Sequence, residues 1–134
     1  MADYAMVKEQ LTDAMIEGGA ALTRKLDEMG VPVTTALWMF DAEINEWRLI
    51  FASPEVSEVG LRLVLRKIDQ AIDELGDAAA AVPYLAIDAM DADADLARRL
   101  RGAVRVDPEG KGVRVRRTVV NEKYIDDALV YRAA

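Results

Sequence analysis

Two runs of residues, TTALWMF at 34–40 and WRLIFA at 47–52, constrain this chain more than anything else in it. Both are rich in β-branched and aromatic side chains, and both are too short for an ordinary helix. The residues between them, DAEINE, are polar, and Asn45 tolerates the left-handed backbone that a tight turn needs. The pair therefore reads as a β-hairpin. Its first strand is apolar on both faces, which suits a strand covered on both sides. In the second, Trp47, Leu49 and Phe51 alternate onto one face.

Helical spacing dominates the flanking segments. Tyr4, Val7, Leu11, Met15, Leu22, Leu26 and Met29 form one stripe, and the pattern predicts a helix from a cap at Asp3 to a stop at Gly30. Gly18 and Gly19 fall in its middle, where each costs up to about 1 kcal/mol relative to alanine. They mark a close contact, a kink, or a helix that simply tolerates them. After Ser53-Pro54, a second helix is expected over 57–75. Ser57 would cap it, Val56 would pack on Leu61, and Leu61, Val64, Leu65, Ile68, Ile72 and Leu75 would form its buried face before Gly76 closes it.

A strand over 84–89 and a short helix over 93–101 follow. Asp93 and Asp95 would stand in the first turn of that helix and Arg99 and Arg101 in its last, as the helix dipole prefers. Then come a turn at 107–112 and a strand at 113–120, with Val113, Val115 and Val119 on one face and Arg114 and Arg116 on the other. Residues 124–131 also fit a helical stripe, but the turn residues before them and a β-rich partner favour a strand. The resulting order is α-β-β-α-β-α-β-β. We expect one α+β domain over residues 1–134, with a largely antiparallel sheet of about five strands, two long helices and one short helix. A chain of this length can bury roughly two-thirds of its unfolded surface, enough for a core without staples.

The composition removes whole classes of chemistry. The chain has no cysteine and no histidine. Disulfides, thiolate nucleophiles, Cys- or His-ligated metals and His-based triads are therefore excluded. Carboxylates, lysine, tyrosine, arginine and the hydroxyls remain. Asp88, Asp91, Asp93 and Asp95 are the one dense group able to hold a hard cation such as magnesium or calcium. An EF-hand loop would want glycine where the chain has Leu96 and glutamate where it has Gly102. The simpler expectation is that Asp91 or Asp93 caps the short helix and Asp95 pairs with Arg99, with no metal or other cofactor.

Charge is distributed unevenly. Residues 69–95 carry eight acids and no base, whereas residues 98–117 carry eight bases and two acids, within a net charge of −7. Arg98, Arg101, Arg114 and Arg116 are candidate contacts for an anion or a nucleic acid. No aromatic residue lies between Tyr84 and Tyr124 to stack a base, and the overall charge repels nucleic acid. Neutralisation of acids within the fold is the better expectation, for example Arg116 or Arg117 opposite Asp126 or Asp127. Lys111 is no phosphate-loop lysine, because Gly112 stands where that motif needs a hydroxyl residue. Ser53 with Lys67 would make a Ser–Lys dyad only if the two meet. Trp38 and Trp47 are core residues on facing strands or, if exposed, interface anchors.

The stretch at 34–60, TTALWMFDAEINEWRLIFASPEVSEVG, resembles a pattern of small uncharacterised bacterial proteins: strand, acidic turn, W-R-L strand, A-S-P, helix. The ending YIDDALVYR at 124–132 is similar to the C-terminus of the same group. The resemblance implies an α+β fold, a strand at the end of the chain and no known activity. The N-terminal MADYAMVKEQL lacks the pattern of a secretory signal, and no apolar stretch reaches the roughly 18 residues that span a bilayer. The sequence thus leads us to expect a soluble, cytoplasmic, non-enzymatic interaction protein that forms a homo-oligomer or binds a protein partner, without membrane contact. Two alternatives stand beside it: a metal-dependent phosphoester or nucleotide enzyme built on the aspartate group, and nucleic-acid binding through the basic C-terminal segment.

Overall fold

The computed structural model describes residues 7–107 and 111–134. Its centre is the hairpin. Strands β1 (Thr35–Asp41) and β2 (Glu46–Ser53) pair antiparallel, with Trp38 opposite Leu49 and Phe40 opposite Trp47. Asn45 supplies the turn with a φ of 52°.

The last segment is a strand. β5 (Lys123–Ala133) pairs antiparallel with the free side of β1, and β4 (Val113–Val120) pairs outside it. On the other side, β3 (Ile87–Asp91) lies parallel to β2. The five strands run in the order β3-β2-β1-β5-β4, antiparallel except for the β2–β3 pair. That one parallel pair follows from the long helical crossover between its strands. The architecture is α+β.

Helices cover both faces. α1 (Asp13–Glu28) and α3 (Leu61–Leu75) bury Leu22, Leu26, Val64, Ile68 and Ala71 against Trp38, Leu49, Phe51 and Leu129. On the opposite face, Leu100 of the short α4 (Asp95–Leu100) joins Leu37, Ile50, Ile125, Ala128 and Val130. The double-sided apolar pattern of the hairpin is used in full.

Four boundaries differ from the sequence expectation. The first helix begins at Asp13, because the Thr12 side chain accepts from the amide of Met15 at 3.1 Å and caps it there. Tyr4 and the expected cap Asp3 lie outside the described residues. Residues ahead of Thr12 run extended instead, held by the Asn45 side chain, which bonds the Glu9 amide and the Val7 carbonyl, and by Trp47 Nε1, which donates to the Glu9 carbonyl.

The expected helix over 57–75 is two helices. α2 (Glu55–Val59) stops at Gly60, whose φ of 98° no helix accommodates, and α3 starts afresh at Leu61. Ser57 is therefore no helix cap; its hydroxyl bonds Asp91 at 2.7 Å. Leu61 is 46% exposed rather than buried, while Ala71 joins the buried face. The expected strand over 84–89 begins only at Ile87, since Pro83 leads into a 3-10 turn, Tyr84–Ala86. α4 starts at Asp95 after Ala94, with no side-chain cap from Asp91 or Asp93. In β4, the positive φ of Arg117 (45°) interrupts the alternation, so Val120 rather than Val119 packs with Val115 on the second cluster.

Gly19 is a place of close approach. A Cβ there would stand 2.5 Å from the Tyr131 hydroxyl and 2.6 Å from Trp38 Nε1. Those two groups bond each other at 3.0 Å, and the Tyr131 hydroxyl donates to the Ile16 carbonyl of α1 at 2.5 Å. At Gly18 the nearest atom is a methyl of buried Val82 at 2.9 Å, a smaller encroachment than at Gly19. Gly19→Ala should therefore cost about 1–3 kcal/mol despite the better helix propensity of alanine. Gly18→Ala should cost less. Urea unfolding followed by Trp fluorescence reads both, and equal losses would show that the joint at Gly19 is not what limits the approach.

Candidate interaction surface

The acidic side chains of β3, of α4 and of the turn joining them bond to other residues of this chain. Asp88 holds Arg48 of β2 through two bonds, Nε to Oδ2 at 3.0 Å and Nη2 to Oδ1 at 2.7 Å. Asp91 accepts from Ser57 Oγ and from the Asp93 amide, and the Ser57 bond leads in holding its carboxyl below the ordinary range. Asp93 lies 3.5 Å from Arg101, and Asp95 pairs with Arg99 at 2.9 Å, one helical turn on. Among the described residues, no group of three or more acidic side chains is placed to hold a metal ion.

The arginines separate onto opposite faces of the sheet. Arg98 and Arg101 belong to α4 and its end, on the side where Leu100 packs. Arg98 reaches Asp95 at 3.4 Å, and Arg101 donates to the carbonyls of Ala92 and Ala134. Arg114 lies on the other face, 5.3 Å over the Trp47 ring. With Arg116, it turns to Asp127 of β5. The expected pairing of Arg116 with Asp127 across the last hairpin is present, in register and at 3.5 Å.

Asp127 is the most strongly perturbed acid. It is 2% exposed and receives Arg114 at 2.6 and 2.8 Å and Lys8 at 2.7 Å. Burial alone would raise its carboxyl, but the bonds and charges of Arg114 and Lys8 outweigh burial and hold it at about 2. Lys8 also sits 4.7 Å over the Phe40 ring. The extended segment before α1 thus closes a charged and aromatic seam over the end of the hairpin. Ser53 and Lys67 do not meet: Ser53 Oγ accepts from the Glu55 amide, and Lys67 pairs with Glu55 at 2.8 Å.

Both tryptophans are buried, Trp38 completely and Trp47 at 4% exposure. They are not surface anchors, because α1 covers the first and the extended segment the second. Nor do they face each other, since Trp47 pairs with Phe40, with ring centroids 5.4 Å apart. The exposed apolar surface lies elsewhere. Tyr84 and Leu85, in the 3-10 turn, are 58% and 83% exposed. Leu61 and Leu65 of α3 stand beside Tyr84 along a groove of about 400 Å³ that Arg62, Arg66 and Asp69 border. On its other side, Leu85 borders a wider cleft of about 580 Å³, lined also by Met15, Ile44, Trp47 and Pro83.

The joint exposure of Tyr84 and Leu85 is not legible from the sequence, because a strand over 84–89 would turn one of the two inward. Pro83, which removes an amide and fixes φ, is the one signal that points to a turn. Comparison with family models, with curated proteins and with solved structures finds no match to this chain.

The seam at Asp127 makes stability depend on pH. A carboxyl near 2 in the fold and about 3.9 unfolded stabilises the protein fully above the unfolded value, and this is lost as pH falls through about 4 toward 2. Asp127→Asn should cost about 2 kcal/mol at neutral pH and flatten the acid limb of the stability curve. Urea midpoints at neutral pH and near pH 3 measure both, and an unchanged acid limb would show that other carboxylates carry it.

Proposed function

We propose that the protein acts by association with protein surfaces, itself included, rather than by catalysing a reaction. The observation that carries this reading is the exposed apolar surface formed by Leu61, Tyr84 and Leu85, with the half-buried Leu65 beside them, next to β3, an edge strand. Contiguous apolar side chains bordered by charge are the usual mark of a protein contact, and burying them gains the hydrophobic free energy that solvent exposure forgoes. β3 adds unpaired main-chain groups along its outer side. The acidic and basic residues that invited enzymatic or nucleic-acid readings are largely taken up by one another, as in Arg48–Asp88, Arg99–Asp95 and Arg114–Asp127.

Sedimentation velocity over a wide range of concentration tests the proposal. We expect a species heavier than the monomer that dissociates on dilution. Leu85→Asp should weaken it about tenfold or more, since a charge placed in a desolvated contact costs more than the contact loses. A monomer at every concentration overturns the self-association, and a dimer indifferent to Leu85→Asp places the contact elsewhere.

A further inference from the structure

One flank of α3 carries a charge pattern that its own fold does not use. Arg62, Arg66, Asp69 and Asp73 follow one another at intervals of four, three and four residues, so they form a single stripe along the helix. Basic residues occupy its N-terminal half and acidic residues its C-terminal half. That order opposes the helix dipole, which favours acids at the start and bases at the end. α3 has no acid in its first turn and no base in its last. The other flank is different: there Lys67 pairs with Glu55 and Glu74 with Lys25. Among the described residues, no ion pair includes Arg62, Arg66, Asp69 or Asp73.

A stripe that is basic at one end and acidic at the other is complementary to itself when reversed. We propose that the occupant of the α3 groove is a second copy of this chain, with the two α3 helices side by side and antiparallel about a two-fold axis. One register satisfies the whole stripe. With the axis between residues 67 and 68, Arg62 faces Asp73 of the second copy and Arg66 faces its Asp69, and each pair occurs twice. A two-fold contact requires that any residue pair be reciprocal, and this stripe meets that requirement at all four positions. The axis also sets the apolar flanks on one side of the contact, where the two Leu65 side chains, about 8 Å apart along the helices, come nearest each other. The antiparallel arrangement sets each helix N-terminus beside the C-terminus of the other, which offsets the unfavourable charge order within each chain.

This geometry rests on the self-association proposed above, and charge exchange tests it separately. Arg62→Glu/Arg66→Glu makes the stripe wholly acidic, and Asp69→Arg/Asp73→Arg makes it wholly basic. Each variant alone should dissociate at least about tenfold more readily than the natural chain, by like-charge repulsion at four contacts. An equimolar mixture should form a heterodimer as tight as the natural dimer or tighter. The chain carrying all four changes should dimerise with itself and show a higher thermal midpoint, because its charges then agree with the helix dipole. Restored association in the mixture also shows that both variants fold.

If the natural chain dimerises and neither double variant weakens it, the α3 geometry is overturned while self-association stands. If both weaken it and neither the mixture nor the fourfold variant restores it, the antiparallel register is overturned. A natural chain that is monomeric throughout overturns self-association itself.

Discussion

The meeting of α1 with the sheet at Gly19 is the constraint on which the rest of the molecule depends. Trp38 is wholly buried on β1, and a buried indole N–H needs an acceptor. The Tyr131 hydroxyl of β5 supplies it and donates its own hydrogen bond to the Ile16 carbonyl of α1. Burial leads in pushing the Tyr131 phenol well above its ordinary ionisation range, so it remains a donor at any ordinary pH. This chain of bonds ties three elements together, and it closes only where the helix lacks a side chain. α3 packs on α1, so the position of the surface groove is set by the same joint.

Electrostatics in this chain divides into charges that the fold consumes and charges that it leaves over. The acid-only stretch and the basic stretch read from the sequence are largely each other's partners or partners of nearby strands. Asp93 and Asp95 meet Arg101 and Arg99, Asp88 meets Arg48, and Asp127 gathers Arg114, Arg116 and Lys8. Such pairs between half-exposed groups contribute little each. Their effect at Asp127 is larger because that carboxylate is out of water, and it fastens the extended segment before α1 to the hairpin. Asp69, Asp73 and Asp77 are the part of the acidic stretch that this sorting passes over.

The fold was legible from the sequence where periodicity and burial agree. The hairpin runs 34–40 and 47–52 became β1 and β2 within a residue or two, because side chains apolar on both faces leave a short segment few alternatives. The strand at the end of the chain was legible from the turn residues before it and its β-rich partner, since its periodicity fits a helical stripe as well. The misreadings came where one residue decides the backbone. Val7 and Leu11 fit a helical stripe, yet Thr12 begins the helix and Asn45 and Trp47 take the bonds of the segment before it. A period of 3.6 cannot reveal a partner nearly forty residues away. The groove was hidden by the same limitation, since Tyr84 and Leu85 look like strand residues until Pro83 is given its turn.

Gly60 shows how a local backbone choice changes the meaning of a charge. In an uninterrupted helix starting near Ser57, Glu58 would stand in the first turn, the dipole would be satisfied, and Arg62 would be an ordinary mid-helix residue. The break at Gly60 moves the N-terminus past Glu58, so Arg62 becomes the charge nearest the free amides of α3. It also turns Leu61 from an expected core residue into an exposed one. A single positive φ therefore exposes Leu61 and sets Arg62 at the start of α3. Each is unfavourable to an isolated chain, and the covering of α3 proposed above would relieve both.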